Sequence, residues 1–480
     1  MRINDIDYKQ ISKEKSLRVD YAYQELATRR KNERKPYYSF SSLFATGAKK
    51  YKFENLSGDF SYCQISDVGK DGSKNPIVLN FDNRNLIDES YYKKIEKGDI
   101  MEVYPDDILM SFLLPQDPSI AGKFTRVEPE DSIFYTTAFL RLHAYNHPKI
   151  LYYALKSIFY PDMVATARIR KGYTGYATLS EDDLKDLQFD ARIIDKLFEN
   201  HEELESFIDE SEKQIRSLRE TKIPTSTIID SIFQESLGYN YDTFEELRKN
   251  KRYESSLVSF GNNPDLRFSV KFHRPAGDFV FNELTRKPNR KIKYYLAEPI
   301  CLGASISPAD FDEEGSAYYV SMATIKSLKI DLDDTQLVKD KYFDSKKGSK
   351  SLKTGDIVIA RSGVAIGKTA IVEEDFDGIF ADFTMRVRFD QAKYNPYFAY
   401  YYFRSKYFQY LIEIYKKGLQ NQNIFPIVIQ EFPLPDISMQ EQSDIVERIK
   451  AGIEEQNTIQ KKIEDLQDDI VKKIKATITL

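Results

Sequence analysis

The sequence predicts an α+β protein in which two tandem, pseudo-repeated α/β blocks are each followed by a long charged helix. Three observations predict this fold class. Two segments, one in the middle of the chain and one at its end, share a heptad rhythm of apolar residues. Motifs of the first half recur in the second half about 245 to 249 residues later. Short aromatic and β-branched runs between turn residues indicate strands within each block.

The first block contains several strand candidates followed by a helix. Phe60–Ile65, the DDILMSFL run and FYTTAFLRL at 134–142 have the composition of strands. PKILYYALKSIF at 148–159 starts with proline, which is favoured at the first position of a helix. We therefore expect a mixed α/β or β-rich domain.

The second block repeats this order of elements. GDIVIARSG at 355–363 corresponds to the DDILMSF strand, FADFTMRVRF at 380–389 to FYTTAFLRLH, and AIGK at 365–368 to IAGK at 120–123. A proline-initiated helix from Pro396 corresponds to the one from Pro148. The expected limits are 1–188 for the first block, 189–236 for central helices, 237–264 for a linker, 265–435 for the second block and 436–480 for a C-terminal helix.

The two heptad segments predict long helices with a narrow apolar seam. They cover about 190–222 and 441–475, and the seam is interrupted where His201 and Ser211 replace aliphatic residues. The seam residues are Leu197, Leu204, Ile208, Ile215 and Leu218 in the centre, and Ile445, Ile449, Ile459, Ile463, Leu466 and Ile470 at the C-terminus.

Composition narrows the class of protein. The chain has 480 residues, enough for two or more domains, and has no apolar run as long as a membrane span. Its two cysteines, Cys63 and Cys301, exclude a disulfide framework and make a zinc site implausible, and we expect a cytoplasmic protein. The net charge is −5, of which the two helical regions carry −11, so the remaining chain carries +6. The acidic surface therefore belongs to the helices, and the blocks are mildly basic.

Four motifs suggest enzymes but have simpler interpretations. SGVAIGKT at 362–369 has three residues between its glycines, whereas a P-loop requires four, so a strand–turn–strand with Lys368 at its tip is expected. NPYF at 395–398 lacks the second proline of amino-methyltransferases and predicts a helix start. A nuclease-like Pro161-Asp162 with Asp183-x-Lys185 includes an acidic helix start, and His143-x-x-x-His147 suggests a loop. We find no catalytic constellation in the sequence.

Basic and amide-rich loops are the positive signal for function. Arg and Lys bind phosphates or guanine edges, and Asn and Gln can contact adenine bidentately. Loops of this composition occur at corresponding places in both blocks, with Gly172 and Gly418 separated by 246 residues. The candidate DNA-binding residues are Lys123, Arg168, Arg170, Lys171, Tyr173 and Tyr176 in the first block, and Arg361, Ser362, Lys368, Lys416, Lys417, Gln420, Asn421, Gln422 and Asn423 in the second.

The chain resembles the specificity (S) subunit of type I restriction–modification systems, most clearly from Gly355 to Gln442. The resemblance is carried by GDIVIARSG, a glycine–lysine turn, DFTMRVRF, PYFAYYYFRS, GLQNQNI, FPLP and QEQSDIVERI. It implies that each block is a target-recognition domain that reads one half of a split double-stranded DNA site. It also implies that the spacer helices pair as an antiparallel coiled coil, whose seam-bearing helices form the subunit interface for two methyltransferase (M) subunits.

The resemblance further implies a division of chemistry between subunits. The chain would be non-catalytic and would bind no cofactor or metal. S-adenosylmethionine and adenine-N6 methylation would belong to the M subunits, and restriction (R) subunits are further partners in such complexes; no membrane is involved. Two alternatives stay open: a target-recognition protein of another DNA methyltransferase system, or an interaction protein that mimics such a subunit without reading DNA.

Overall fold

The computed structural model divides the chain into two compact units. The first consists of Met1–Thr221 with Ile459–Leu480, and the second of Lys222–Thr458. The structure describes residues 36–479 except 54, 70, 83–88, 112, 115–121, 162, 164–176, 179, 186, 250–252, 255–257, 259–271, 326–328, 334 and 419–421. The predicted mixture of helices and strands is confirmed.

Short strands and helices alternate along both units. The strands are β1 (Tyr37–Ser39), β2 (Phe44–Thr46), β3 (Asp59–Cys63), β4 (Ile77–Asn80), β5 (Ile108–Ser111), β6 (Leu113–Leu114), β7 (Phe124–Arg126), β8 (Ile133–Tyr135), β9 (Phe139–Ala144), β10 (Ala177–Thr178), β11 (Gln188–Asp190), β12 (Asn289–Lys291), β13 (Cys301–Leu302), β14 (Ala317–Val320), β15 (Leu337–Val338), β16 (Ile357–Ala360), β17 (Thr369–Ile371), β18 (Gly378–Phe380), β19 (Thr384–Val387) and β20 (Pro433–Pro435). The α-helices are α1 (Phe40–Leu43), α2 (Glu89–Glu96), α3 (Pro148–Ala154), α4 (Glu181–Lys185), α5 (Ala191–Glu199), α6 (His201–Glu220), α7 (Thr225–Leu237), α8 (Tyr241–Lys249), α9 (Pro275–Arg286), α10 (Asp340–Lys350), α11 (Pro396–Arg404), α12 (Lys406–Tyr415), α13 (Pro426–Ile429) and α14 (Met439–Thr479).

A four-stranded antiparallel sheet of order β2-β9-β5-β7 is central to the first unit. A three-stranded sheet, β4-β3-β8, includes the parallel pair β3–β8. The central strand β5 is buried along its length, and its residues alternate between two cores. Ile108 and Met110 pack with Phe124 in one core, whereas Leu109 packs with Cys63 in the other. Burial on both faces explains why β5 is a continuous apolar run.

The second unit has sheets of the same order. Its four-stranded sheet is β13-β19-β16-β17, and its three-stranded sheet, β15-β14-β18, includes the parallel pair β14–β18. Strand β16 is buried throughout, with Ile357 and Ile359 in one core and Val358 and Ala360 in another. A two-stranded pair, β12–β20, corresponds to β1–β11 in the first unit.

Strand register also corresponds between the units. Ile108 faces Leu142 in the pair β5–β9, and Ile357 faces Val387 in the pair β16–β19. Ile357 thus lies 249 residues after Ile108 in the sequence, and Val387 lies 245 residues after Leu142. These are the same offsets at which the sequence motifs recur.

The runs predicted as single strands from 134 and from 380 are each two strands. Strands β8 and β18 belong to the three-stranded sheets, whereas β9 and β19 belong to the four-stranded sheets. The chain changes sheet at the turns 136–138 and 381–383. The single-strand prediction was wrong because aromatic and apolar residues continue on both sides of each turn.

The predicted central helix is two helices, α5 and α6, which are separated at Asn200 (φ −104°, ψ 21°). In the first unit, α6 packs against the last part of α14. The shared core contains Leu204, Ile208, Ile215, Ile463, Ile470 and Ile474. Lys473 pairs with Glu203, and Lys196 Nζ lies 3.4 Å from Ile478 O. The N-terminal part of the central helical region therefore contacts the C-terminal part of α14, so the two run antiparallel.

The second unit contains a similar helix pair, formed by α7 and the first part of α14. Arg448 forms an ion pair with Glu235, and the Ile223 amide donates to Gln456 Oε1 at 2.8 Å. A Cβ at Gly452 would lie 2.8 Å from Ile228 Cγ2, so glycine permits a close approach of these helices. The 41-residue helix α14 thus contributes to the cores of both units.

The linker prediction for 237–264 is wrong where α8 lies. Tyr241 and Phe244 are buried, and their ring centroids lie 4.7 and 5.4 Å from that of Tyr407. Aromatic packing therefore makes this polar stretch part of the second unit. The predicted helix at 148–159 is confirmed, and its last turn, Leu155–Phe159, is π-helical. Within the described part of the chain, each helix is too short or too polar to span a bilayer.

Candidate nucleic-acid interface

Arg361 lies where three segments of the second unit meet. It follows β16, and its main-chain amide donates to Phe383 O at 3.0 Å. Its carbonyl oxygen accepts from the Ile424 amide at 2.9 Å. The end of β16, the turn 381–383 and the end of the amide-rich loop therefore lie side by side, although they are distant in sequence.

The amide-rich loop is closed at its base. Lys417 and Asn423 exchange two main-chain hydrogen bonds, at 2.8 and 2.7 Å, and the Gly363 amide donates to Gln422 O at 3.3 Å. Gly418 has a φ of +110°, which favours glycine in this turn. The predicted residues Gln420 and Asn421 lie outside the described residues. The fold thus brings the base of this loop beside Arg361.

Lys368 occupies the turn that connects β16 and β17. The Ala360 amide donates to Lys368 O at 2.9 Å, and the Lys368 side chain is exposed. Gln409 Nε2 donates to Gly367 O at 3.0 Å, which attaches the turn to helix α12. This strand–turn–strand is the structure expected in place of a P-loop. We call Arg361, Lys368, Lys417, Gln422 and Asn423 the Arg361 surface.

Ser362 and Lys416 were also predicted in this region but are not part of the Arg361 surface. Ser362 is 8% exposed, and its hydroxyl lies 3.9 Å from Met322 Sδ. Its burial makes a direct contact with a base difficult, so we assign it to the support of the loop. Lys416 follows helix α12, and its amide donates to Ile412 O at 2.9 Å.

The Lys123 side chain in the first unit binds main-chain oxygens of the same unit. Its Nζ donates to the main-chain oxygens of Ile65 and Ser66 at 3.0 and 3.2 Å. An ammonium that already donates to two main-chain carbonyls has fewer donors left for a phosphate, and the DNA contact of Lys123 stays a prediction. The remaining predicted residues of this block, Arg168, Arg170, Lys171, Tyr173 and Tyr176, lie outside the described residues.

Two exposed aromatic residues border the Arg361 surface and were not predicted. Phe383 is 53% exposed in the turn between β18 and β19, and Phe425 is 41% exposed directly after Ile424. Aromatic residues in strand-like runs are usually core residues, which is why the sequence did not single them out. Only the turn position distinguishes Phe383 from the buried residues around it.

A buried ion pair lies at the start of β16. Asp356 is 1% exposed and accepts two hydrogen bonds from Arg388, each at 2.6 Å, and one from the Lys353 amide at 2.8 Å. The hydrogen bond to Asp356 raises the pKa of Arg388. This bidentate guanidinium–carboxylate pair links the residue before β16 to the residue after β19 with defined geometry.

The first unit has a similar pair around Asp107. Asp107 is buried and contacts both Arg141 and His143, whose Nδ1 lies 2.9 Å from it. His143 lies on strand β9, so the loop that we expected there is wrong. His147 precedes helix α3 with a φ of +49°.

The other motifs considered as enzyme signals have structural roles. Asn395 caps helix α11, accepting the Tyr397 and Phe398 amides at 2.9 and 3.4 Å. Asp183 is buried and accepts the Ser180 amide at 2.8 Å, as a capped acidic helix start would. Among the residues that the structure describes, no group of three or more histidine, cysteine or acidic residues could hold a metal ion.

The seam residues face helices of the same chain. Leu197, Leu204, Ile208, Ile215, Ile463 and Ile470 are buried in the first unit, with Leu218, Ile459 and Leu466 partly buried against the same core; Ile445 and Ile449 are buried in the second unit. The seam itself is thus an intramolecular contact. Docking of a further subunit against these helices stays a prediction and would use their outer faces.

Comparison with known proteins gives structural neighbours only. No protein-family model and no curated protein matches the sequence. A structure from a study of complex assembly and conformational transition of the type I R-M system covers 92% of this chain and 96% of its own, with 13% identity and a TM-score of 0.35. Two further structures are similar. The HsdS subunit from Thermoanaerobacter tengcongensis is 12% identical and has a TM-score of 0.31, and the match covers 92% of this chain and 95% of that chain. The S subunit from M. genitalium is 12% identical and has a TM-score of 0.39, and the match covers 92% of this chain and 97% of that chain. Two of these structures are named as belonging to type I restriction–modification systems, and two are named as HsdS or S subunits.

Proposed function

We propose that this chain is a non-catalytic, sequence-specific DNA-recognition subunit of a type I restriction–modification complex. The observation that carries the proposal is the Arg361 surface. Cationic and amide side chains from separate segments are held together by main-chain hydrogen bonds around Arg361. Lysine and arginine bind phosphates and guanine, and the amides of Gln422 and Asn423 match the hydrogen-bonding edge of adenine.

The two units support the proposal of a bipartite DNA site. Both have sheets of the same order, with corresponding register in their central strand pair. This supports an internal duplication that the sequence offsets predict. We propose that each unit is a target-recognition domain for one half of a split double-stranded DNA sequence. The amino-acid sequences of the corresponding loops differ, so the two half-sites would differ in sequence.

We further propose that the paired helices dock two methyltransferase subunits. Their seam is buried within the chain, while the acids that dominate their composition leave outer faces poorly suited to DNA. The M subunits would bring S-adenosylmethionine and adenine-N6 methylation. Restriction subunits would add cleavage, and the complex would act in the cytoplasm.

A binding selection tests the DNA-reading function. The full-length chain, alone and with its M subunits, is incubated with a duplex library of random sequence, and the bound sequences are determined. A split consensus sequence is expected. Arg361→Ala should weaken binding, whereas Lys393→Ala, at an exposed lysine paired with Asp390, should not. Recovery of unenriched sequences by the M-containing complex would exclude DNA reading and favour an interaction protein.

The unit-specific role of the amide loop has its own test. The double substitution of Gln420 and Asn421 by alanine should reduce recognition of one half-site and leave subunit assembly intact. Loss of a bidentate base contact corresponds to about 1–3 kcal/mol. Selected sequences with both half-sites unchanged would contradict this role.

A further inference from the structure

Phe383 is an exposed aromatic side chain on a turn that is firmly held. The Asp382 amide donates to Ala304 O at 3.2 Å, and the Thr384 hydroxyl donates to Ala381 O at 2.7 Å. Arg361 binds the turn twice, through its amide to Phe383 O and through Nε to Asp382 O at 2.8 Å. The ring is therefore presented to solvent by a fixed main chain.

A cavity of about 340 Å³ lies beside this ring. Its lining combines apolar side chains, including Ile306 and Met322, with the polar groups of Ser305 and Asp382; Phe383 lines it as well. The hydroxyl of Ser305 donates to Asp382 at 2.7 Å. Nearby, Tyr319 donates to Ala304 O at 2.7 Å, and burial raises its pKa, so it is a neutral donor. Small-molecule sites combine apolar walls and a few polar groups in this way.

The first unit has the same turn without the ring. Strands β8 and β9 meet at 136–138 as β18 and β19 do at 381–383, and the offset of 245 residues places Ala138 at the position of Phe383. Ala138 is exposed, and its amide lies 3.3 Å from Thr136 Oγ1. The turn therefore does not need a phenylalanine for its conformation, which leaves the ring available for another role.

We propose that Phe383 and the adjacent cavity form a nucleobase-binding site. The ring stacks on one base of the half-site read by the second unit, and the cavity receives that base as it leaves the helical stack. This inference rests on the proposed function and adds a specific contact to it. Arg361 lies beside the turn and supplies a cation for the flanking phosphate.

Two properties of the site favour a base over another ligand. The ring offers a flat apolar face next to a guanidinium, a combination that binds nucleobases through stacking with phosphate contact. The Asp382 carboxylate can accept from an exocyclic amino group, as acidic residues do with cytosine. Flexible pyrimidine–purine steps unstack most readily, so the contacted base is expected at such a step.

The test uses the full-length chain and the duplex selected by the parent protein. 2-Aminopurine is placed in turn at each position of both half-sites, and its fluorescence reports unstacking. The parent should raise the fluorescence at one position of one half-site. Phe383→Ala should abolish this rise, lower affinity for the selected duplex about tenfold and relax sequence preference at that step. Phe383→Tyr should retain all three properties, because it keeps the ring.

Matched controls separate this site from general effects. Tyr294→Ala removes another exposed ring of the second unit, 60% exposed, and should leave the fluorescence and the selected sequence unchanged. Arg361→Ala should weaken binding to all duplexes. If Phe383→Ala keeps the parent's selected sequence, affinity and fluorescence, the base site is excluded while DNA reading stands. If the parent enriches no sequence, the proposed function and this site are both excluded.

Discussion

Asp230 should make the stability of the second unit depend on pH. It lies on α7, is 4% exposed, and its Oδ1 accepts the amide of Lys406, the first residue of α12, at 2.9 Å. Its Oδ2 accepts no hydrogen bond from the described residues. Burial raises the pKa of Asp230 to about 6, although Lys406 partly opposes this. The carboxylate thus caps a helix at the cost of a poorly solvated charge.

The size of the effect follows from the two pKa values. The folded-state pKa is about 6 and the ordinary value is 3.8, a difference of about two pH units, or ~3 kcal/mol. Because the folded state binds the proton more tightly, the free energy of unfolding should fall as pH rises from about 4 to 6 and stay low above that. Asp230→Asn keeps an oxygen for the Lys406 amide and removes the charge. It should therefore stabilise the protein at pH 8 by up to ~3 kcal/mol and have little effect at pH 4.

Thermal unfolding of the full-length chain, followed by circular dichroism between pH 4 and 8, measures this. For a unit of this size we expect Asp230→Asn to raise the transition of the second unit on the order of 5–10 °C at pH 8. Asp333→Asn, at an exposed carboxylate, is the matched control. An Asp230→Asn protein that melts with the same pH profile as the parent would refute the reasoning.

Three further outcomes are expected. DNA affinity should fall steeply with ionic strength through counterion release, and Arg361→Ala should reduce the slope of log affinity against log salt by about one, measured by anisotropy titrations at several salt concentrations. Asp356→Ala should destabilise the second unit by ~1–3 kcal/mol, because the Lys353 amide and part of the Arg388 guanidinium lose their acceptor, and urea unfolding would reveal this; an unchanged midpoint would contradict it. Gly452→Leu should push α7 away from α14 through a clash with Ile228 and destabilise the second unit by ~1–3 kcal/mol in the same urea assay. The control is Gly348→Leu, which should be nearly neutral because a Cβ there meets nothing within 4 Å.

Sequence periodicity and recurrence predicted the elements better than their connections. The apolar run of β16, the proline-initiated helices and the offset of about 245 residues all follow from side-chain type and spacing. The break at Asn200 did not, because the heptad rhythm continues across it and a single change of main-chain angles leaves no pattern. The passage between sheets at 381–383 was missed for a related reason: alternation shows that a strand exists but not which strand it pairs with.

The candidate site shows the same limit at the level of single residues. Residue type drew attention to the region of Arg361 and the amide loop, whose contact with DNA stays a prediction. It could not distinguish Lys368, which is exposed, from Lys123, whose ammonium binds two main-chain oxygens. Nor could it show that Ser362 is buried or that Phe383 is exposed. These differences depend on tertiary contacts between segments that are distant in sequence.

The helix α14 has a consequence for synthesis of the protein. The first unit contains Met1–Thr221 but takes part of its core from Ile463, Ile470 and Ile474. A ribosome must translate the 237 residues 222–458 before that part of the core exists, which takes about 10–50 s at 5–20 residues per second. During this interval the apolar face of α6 lacks the part of its core that α14 supplies. The nascent first unit therefore exposes this apolar surface until the C-terminal helix emerges, and folding of this chain cannot be completed in the order in which it is made.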